Sequence, residues 1–144
     1  MRRIFLLTIS SLFVPVFGQT SSEGLSCFEN LTAPEFPLSA LQAHVDGTVW
    51  TTTYVSPQGT IDKIETQVVS AWGEGPKLLT PPVEKAIRAA KIKPACAGKS
   101  VPAIFRYQLH GEATASPTVT TRTEGNLMWI ESHPASTTAT KGSH

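Results

Sequence analysis

The sequence predicts an α+β domain: an antiparallel three-stranded sheet with one helix in the order ββαβ, followed by a C-terminal β-hairpin. Three observations support this fold class. Two runs rich in β-branched and aromatic residues, 47–56 and 60–70, flank a turn at residues 57–59. A stripe of apolar residues at helical spacing follows, and the run 101–109 then alternates between apolar and other side chains.

The first two runs are predicted to form a hairpin. Side chains alternate between the two faces of a strand, so the first strand has Trp50 and Tyr54 on one face and Val49, Thr51, Thr53 and Val55 on the other. Ile61 and Ile64 are an odd number of residues apart, so a regular strand would place them on opposite faces. We therefore expect a β-bulge or a late strand start near residues 62–63.

The helix is predicted to begin at Pro81-Pro82, with residues 71–79 forming a loop. Its apolar stripe has the spacing i, i+3, i+4, i+7, and consists of Val83, Ala86, Ile87 and Ala90. The helix is expected to end before Pro94, because a residue preceding proline is disfavoured in the α region. Ile87, in the middle of the stripe, is predicted to be central to the core.

These segments resemble the C-terminal domain of the TonB family. The opening motifs are Pro34-Glu-Phe-Pro37, Gly47-Thr-Val49 and Val55-Ser-Pro-Gln-Gly59. The closing motifs are Lys93-Pro94-Ala95, Gly98-Lys-Ser-Val101 and Phe105-Arg-Tyr107. The chain departs from the family just before the helix-terminal proline, where the family often has an aromatic residue and this sequence has Ala90-Lys-Ile-Lys93.

The resemblance implies a protein-binding module that engages envelope partners, in the family an outer-membrane transporter. An extended partner peptide would pair with the edge of the last strand of the ββαβ unit. The implied partner-binding residues are Ile104, Phe105, Arg106, Tyr107, Gln108 and Leu109. The alternative is a secreted structural or adaptor protein with a TonB-like fold and no role in energy transduction.

The N-terminus predicts export. Met1-Arg-Arg3 is a basic segment, residues 4–17 are largely apolar, and Gly18 is a small residue at a plausible cleavage end. We predict a signal peptide over residues 1–18, a linker over 19–31, the TonB-like domain over 32–111, and a periplasmic or secreted protein. The alternative is an uncleaved inner-membrane anchor, although spanning takes about 20 apolar residues and Pro15 interrupts this run.

The chain has two cysteines, Cys27 and Cys96. In a protein exported to an oxidising compartment, a single pair of cysteines most often forms one disulfide. Lipid modification of Cys27 is the alternative, and the polar residues 19–23 that separate Cys27 from the apolar segment argue against it.

Residues 112–132 are predicted to form an additional hairpin around Glu124-Gly125, with a disordered tail over 133–144. We expect the hairpin to pair with the edge of the strand 101–109, because sequential strands are usually neighbours. Leu127 and Trp129 share one face of the hairpin. Trp50, Tyr54 and Trp129 are expected to pack under it, and contact with a partner is the alternative.

No pattern of chemistry-bearing residues is recognisable. The four histidines are scattered, and His110-Gly-Glu112 is interpreted as a strand end beside a turn. We therefore expect a protein that is not an enzyme, with no metal, no cofactor and no small-molecule substrate. Without Arg2 and Arg3 the chain has ten basic and eleven acidic residues, a balance that argues against nucleic acid as the partner.

Overall fold

The computed structural model describes residues 24–70 and 72–137, so the predicted signal peptide lies outside the described residues. In chain order the elements are β1 (Phe28–Glu29), α1 (Leu38–Gln42), β2 (Gly47–Val55), β3 (Ile61–Val69), α2 (Gly75–Ala89), β4 (Lys91–Ile92), β5 (Ser100–Leu109), β6 (Thr120–Glu124) and β7 (Leu127–Ser132). None of the described helices is long and apolar enough to cross a bilayer.

Five strands form one sheet in the order β3-β2-β5-β7-β6. Strand β2 pairs antiparallel with β3 on one side and with β5 on the other, as the predicted ββαβ unit requires. Strand β7 pairs parallel with β5, and β6 pairs antiparallel with β7. The α+β class is therefore confirmed, and the complete sheet is mixed rather than antiparallel.

The order of the last two strands follows from their composition. Strand β7 alternates buried Met128, Ile130 and Ser132 with half-buried residues, so it needs a neighbour on each side and lies inside the sheet. Every residue of β6 is exposed, and its sequence is Thr-Thr-Arg-Thr-Glu. A polar strand tolerates an edge, where one row of main-chain groups faces water. Hence β7 separates β6 from β5.

The predicted bulge in β3 is confirmed. Tyr54 is opposite Lys63 and Val55 is opposite Ile61, so Asp62 is the extra residue on β3. The bulge reconciles the parity of Ile61 with that of Ile64. From Lys63 to Val69 the pairing with β2 is regular.

The predicted start of the helix is wrong. Helix α2 begins at Gly75, six residues before Pro81, and both Pro81 and Pro82 lie inside it. Proline is favoured in the first turn of a helix and costs about 3 kcal/mol in its interior, and this preference led to the predicted start at Pro81. Pro76 instead occupies the first turn, and the burial of Leu79, Val83 and Ile87 stabilises a helix that spans both later prolines.

The core lies between one face of the sheet and the helices. Val49, Phe105 and Ile87 are each fully buried there. Leu41 of α1 and Phe36 of the preceding segment close one end of the core. The prediction that Ile87 is central to the core is confirmed by its burial.

The predicted disulfide between Cys27 and Cys96 is confirmed. It joins two short elements: β1, which follows Cys27, pairs antiparallel with β4, and the amide of Lys93 donates to the carbonyl oxygen of Cys27 at 2.8 Å. Cys27 and Phe28 are buried. The linker predicted to extend to residue 31 is therefore wrong from residue 24 onward, because the disulfide and β1 fold this segment onto the domain.

The disorder predicted from His133 onward is wrong for residues 133–137. Ala135 is 1% exposed, and its amide donates to the carbonyl oxygen of Leu41 at 3.1 Å. Ala135 also forms a parallel bridge with Thr114. A composition of Pro, Ser and Ala suggested disorder, yet one buried alanine and its main-chain hydrogen bonds fix residues 133–137; the rest of the predicted tail lies outside the described residues.

Candidate protein-binding site

The predicted partner-binding strand lies in the middle of the sheet. Residues 104–109 of β5 are opposite residues 127–132 of β7 in a parallel pair. The amide of Ile104 donates to the carbonyl oxygen of Asn126 at 2.8 Å, and the amide of His110 donates to that of Ser132 at 3.0 Å. The expectation that the C-terminal hairpin pairs with this edge is therefore confirmed, and the main-chain groups that a partner strand would use are occupied by β7.

The side chains of the predicted site divide between the two faces of the sheet, as their alternation predicted. Phe105 and Tyr107 are 0% and 1% exposed on the core side. Arg106 and Gln108 are exposed on the other side, with Ile104 and Leu109 half-buried. Only Arg106 and Gln108, with part of Ile104 and Leu109, are accessible to a partner in this conformation.

Tyr107 links β5 to the Pro34-Glu-Phe-Pro37 segment. Its ring packs edge to face against Phe36, with ring centroids 5.0 Å apart, and its hydroxyl donates to the carbonyl oxygen of Glu35 at 3.2 Å. Burial, and secondarily the nearby charge of Glu35, raises the pKa of Tyr107 well above its ordinary value of 10.0. The first and last motifs of the TonB-like resemblance are thus in direct contact.

On the open face of the sheet, Trp129 of β7 lies between two arginines. The guanidinium of Arg106 is 4.7 Å from the centre of the Trp129 ring, and that of Arg122 is 4.2 Å from it. Both distances are within the range of cation–π attraction. Arg122 also lies 3.7 Å from Glu131. The stack ties β5, β7 and β6 together on the face opposite the core.

Arg122 is a residue of this surface that the sequence reasoning missed. The hairpin turn at Gly125-Asn126 places residues equidistant from it opposite each other, so Arg122 faces Trp129. The predicted turn at Glu124-Gly125 is one residue too early and would place Arg122 opposite Leu127, so the sequence prediction did not bring Arg122 and Trp129 together. The contact of Arg106 with Trp129 was not predicted either, because it depends on the parallel register between β5 and β7.

Trp50 remains exposed, which corrects the expectation that the hairpin covers the aromatic residues. The hairpin extends the sheet sideways and leaves the open face uncovered. Trp50, in the second strand of the sheet, is 48% exposed and lies opposite Ile104 and Gln67. Trp129 is half-buried because the two arginines cover it, rather than because the hairpin folds over the face.

Tyr54, Lys63 and Glu65 form a polar cluster at one end of the open face. The hydroxyl of Tyr54 donates to Glu65 at 2.9 Å, and the ammonium group of Lys63 is 2.7 Å from the other carboxylate oxygen. The hydrogen bond from Lys63 lowers the pKa of Glu65, and the hydrogen bond to Glu65 raises the pKa of Tyr54. All three side chains are solvated, so the cluster is a surface network of small energetic weight.

A groove on the helix side of the domain was not expected from the sequence. Its volume is about 570 Å³, and it lies between residues 32–39 and one side of α2. Four prolines supply much of its apolar lining: Pro34, Pro37, Pro81 and Pro82. Its charged residues are Glu35, Lys77 and Lys85. Residues 71–79 were predicted to be a loop, whereas α2 begins at Gly75 and brings Lys77 and Leu78 into the wall of the groove.

His110 and His133 lie edge to face, with ring centroids 4.7 Å apart, at the end of β5. Within residues 24–70 and 72–137, no group of three His, Cys, Asp or Glu side chains is arranged to hold a metal ion. The histidine pair adds a contact between the ends of β5 and β7, and it does not form part of a recognisable catalytic arrangement.

Comparison with known proteins gave no match to a family model, to a curated protein or to a solved structure. The likeness to the TonB C-terminal domain therefore rests on the motifs of the sequence alone.

Proposed function

We propose that this protein is an envelope protein-binding module that takes an extended segment of a partner protein onto the β5 edge of its sheet. The partner expected from the resemblance is a TonB-dependent outer-membrane transporter. The observation that carries the proposal is that residues 104–109 already hold a strand, β7, in a continuous parallel register. Main-chain pairing supplies affinity in such complexes, and alternate side chains supply selectivity.

The hairpin β6–β7 regulates this binding, because a partner strand and β7 compete for the same main-chain groups. Only molecules with an open β5 edge bind the partner, so the observed affinity is the intrinsic affinity reduced by the open fraction. Opening exposes Met128 and Ile130, which are 5% and 0% exposed. Each contributes about 1.5–3 kcal/mol through burial. A partner strand therefore has to replace these contacts as well as the hydrogen bonds.

The selectivity of the site comes from the open face. A parallel strand in the position of β7 places one side chain opposite Arg106, where Trp129 now lies, and others opposite Ile104 and Gln108. An aromatic residue opposite Arg106 reproduces the cation–π contact. On the core side, the incoming strand needs apolar residues in place of Met128 and Ile130. The preferred partner segment thus has apolar side chains on one face and an aromatic residue at the centre of the other.

A cross-link between β5 and β7 tests the proposal. Gln108 and Glu131 are directly opposite each other on the open face, and neighbouring strands are close enough for a disulfide to form. The variant with Gln108→Cys and Glu131→Cys locks the hairpin in place. The probe is a synthetic peptide with the sequence of residues 126–133, which contains β7 itself. We expect the unlocked protein to bind this peptide and to capture a transporter from outer-membrane extract, and the locked protein to do neither.

The matched control has Gln108→Ser and Glu131→Ser. It loses the same two side chains, including the contact of Glu131 with Arg122, and it cannot be cross-linked. Reduction is a poor control, since it also opens the disulfide between Cys27 and Cys96. Peptide binding and transporter capture that are equal in the locked and serine variants would show that neither ligand uses the β5 edge.

One observation favours a second candidate, an adaptor whose partner contacts the open face while the hairpin stays in place. Trp50 is a large aromatic residue that is 48% exposed, and tryptophan is enriched in protein–protein interfaces. In that case the locked variant still captures its protein partner, whether a transporter or another protein. The variant Trp50→Ala no longer captures that partner. The cross-link and this substitution therefore separate the two candidates.

A further inference from the structure

Strand β3 is a sheet edge to which none of the described segments is hydrogen bonded on its outer side. Natural edge strands are usually protected by charged side chains, especially lysine, by proline, by a bulge, by short length or by covering segments. Here the bulge at Asp62 and the charge of Lys63 lie at the start of the strand, and Lys63 is paired with Glu65 of the same strand. The following seven residues, 63–69, pair regularly with β2 and contain neither proline nor glycine. This stretch is a template for a further strand.

We infer that a second copy of this chain pairs with it, so that two β3 strands join antiparallel across a two-fold axis. The regular stretch 63–69 has Thr66 at its midpoint, so full-length pairing places Thr66 opposite itself. Ile64 then lies opposite Val68 of the second copy on the core side. On the open face, Glu65 lies opposite Gln67 of the second copy. Both pairs occur twice because of the symmetry.

Other antiparallel registers have the two-fold axis through a residue next to or near Thr66 and also keep the core faces of the two sheets on one side. Like charges or the bulge exclude them. A two-fold axis through Glu65 brings the two Glu65 carboxylates opposite each other, which is destabilising. An axis through Ile64 runs the ladder into the bulge at Asp62 in both copies. An axis through Gln67 shortens the regular pairing to residues 65–69. The register centred on Thr66 is the longest regular one, and it places no like charges opposite each other.

The exposed apolar residues near the end of β3 are consistent with this contact. Val69 is 59% exposed, and Trp72, three residues later, is 52% exposed. In the proposed dimer Val69 lies opposite Lys63 of the second copy, whose hydrocarbon stem covers it. An isologous contact of this kind uses each β3 edge once and therefore closes at two copies. Because the contact is one strand long, we expect a dimer that dissociates on dilution.

The dimer is independent of the proposed partner binding, because β2 separates β3 from β5. The dimer is tested with two variants that place either a negative or a positive charge at position 67. Gln67→Glu places a carboxylate opposite Glu65 of the second copy twice, and Gln67→Lys places an ammonium group there twice. Cross-strand charge pairs contribute about 0.2–1 kcal/mol each. We therefore expect the dissociation constant to rise about 2- to 30-fold for Gln67→Glu and to fall by a similar factor for Gln67→Lys.

The measurement is sedimentation equilibrium of the purified protein and the two variants over a range of concentrations. The difference between the variants should shrink in high salt, since the charges are solvated. Gln67 is exposed and lies outside the core, so thermal unfolding of both variants should match that of the parent. The inference would be overturned by a parent protein that stays monomeric throughout the range, or by a dimer whose dissociation constant is unchanged in both variants.

Discussion

The hydroxyl of Tyr107 donates a hydrogen bond to the main-chain oxygen of Glu35, at a distance of 3.2 Å across 72 residues of sequence. This contact fastens the segment before α1 to the strand that carries the predicted site. Tyr107→Phe removes the hydrogen bond and leaves the ring in place. We expect a loss of about 0.5–1.5 kcal/mol in the free energy of unfolding at neutral pH, measured by denaturant titration. Unchanged stability would mean that the hydrogen bond contributes nothing.

Tyr107 also makes the free energy of unfolding depend on pH in the alkaline range. Burial raises the pKa of Tyr107 above its ordinary value of 10.0, so the hydroxyl stays protonated in the folded protein after the unfolded chain has ionised. Its contribution to stability is complete below pH 10 and is lost as the pH rises further, at about 1.4 kcal/mol per pH unit.

The comparison of parent, Tyr107→Phe and Tyr54→Phe isolates this effect. At about pH 8 the parent should be more stable than Tyr107→Phe by about 0.5–1.5 kcal/mol. Between about pH 10 and about pH 11.5 it should lose about 2 kcal/mol relative to the variant, which has no buried hydroxyl to ionise, so the two curves of unfolding free energy should cross. Tyr54 is solvated, and Tyr54→Phe should retain the steep loss. Parallel curves for the parent and Tyr107→Phe would contradict the assignment.

Ile87 is fully buried in the last turn of α2. Ile87→Ala leaves a cavity, and we expect it to reduce the free energy of unfolding by about 2–5 kcal/mol. Arg88→Ala, one residue further along the helix and exposed, is the control and should change stability by less than about 0.5 kcal/mol. A loss below about 1 kcal/mol for Ile87→Ala would mean that the helix stripe faces elsewhere.

The disulfide closes a loop with a sequence separation of 69 residues. On the chain-entropy argument, a loop of this length stabilises the folded state by about 4 kcal/mol, so the variant with Cys27→Ala and Cys96→Ala should lose stability on that scale. Thiol labelling of the denatured, unreduced protein should modify no cysteine. Two labelled thiols would show that the bridge is absent from the protein in solution.

Pro82 lies inside α2 and cannot donate a hydrogen bond to the carbonyl of Leu78. Pro82→Ala restores that donor and relieves the restriction on the residue before it. We expect the variant to gain about 1–3 kcal/mol in the free energy of unfolding. Pro76→Ala, in the first turn where proline is tolerated, should change it little. Equal effects of the two substitutions would favour a helix that begins at Pro81 after all.

The strands of the ββαβ unit were predictable because their signals are local. Alternation placed Trp50 and Val49 on opposite faces of the first strand, and the parity of Ile61 and Ile64 indicated the bulge at Asp62. The start of α2 was not predictable, because burial of Leu79 outweighs the local preference of two prolines. A propensity rule does not include that tertiary contribution.

The position of the hairpin was predictable only in part. Its pairing with β5 followed from the sequence, and its turn lies at Gly125-Asn126, one residue later than predicted. The parallel direction of β7 depends on how the connection at 110–119 returns across the sheet. For the same reason the stack of Arg106, Trp129 and Arg122 was not foreseen. Residues 133–137 pack on the domain through the hydrogen bond from Ala135 to Leu41. Amino-acid composition alone does not predict such a contact.

Hydrogen exchange of individual amides tests most directly whether β5 accepts a partner strand in place of β7. The amides of residues 104–109 and 127–132 are followed in the parent protein, without and with the peptide of residues 126–133 in excess. If the strands exchange, the amides of residues 127–132 lose protection when the peptide binds, while those of residues 104–109 remain protected because the peptide replaces β7. If the peptide binds and the amides of residues 127–132 keep their protection, the β5 edge is not the binding site and the account is wrong.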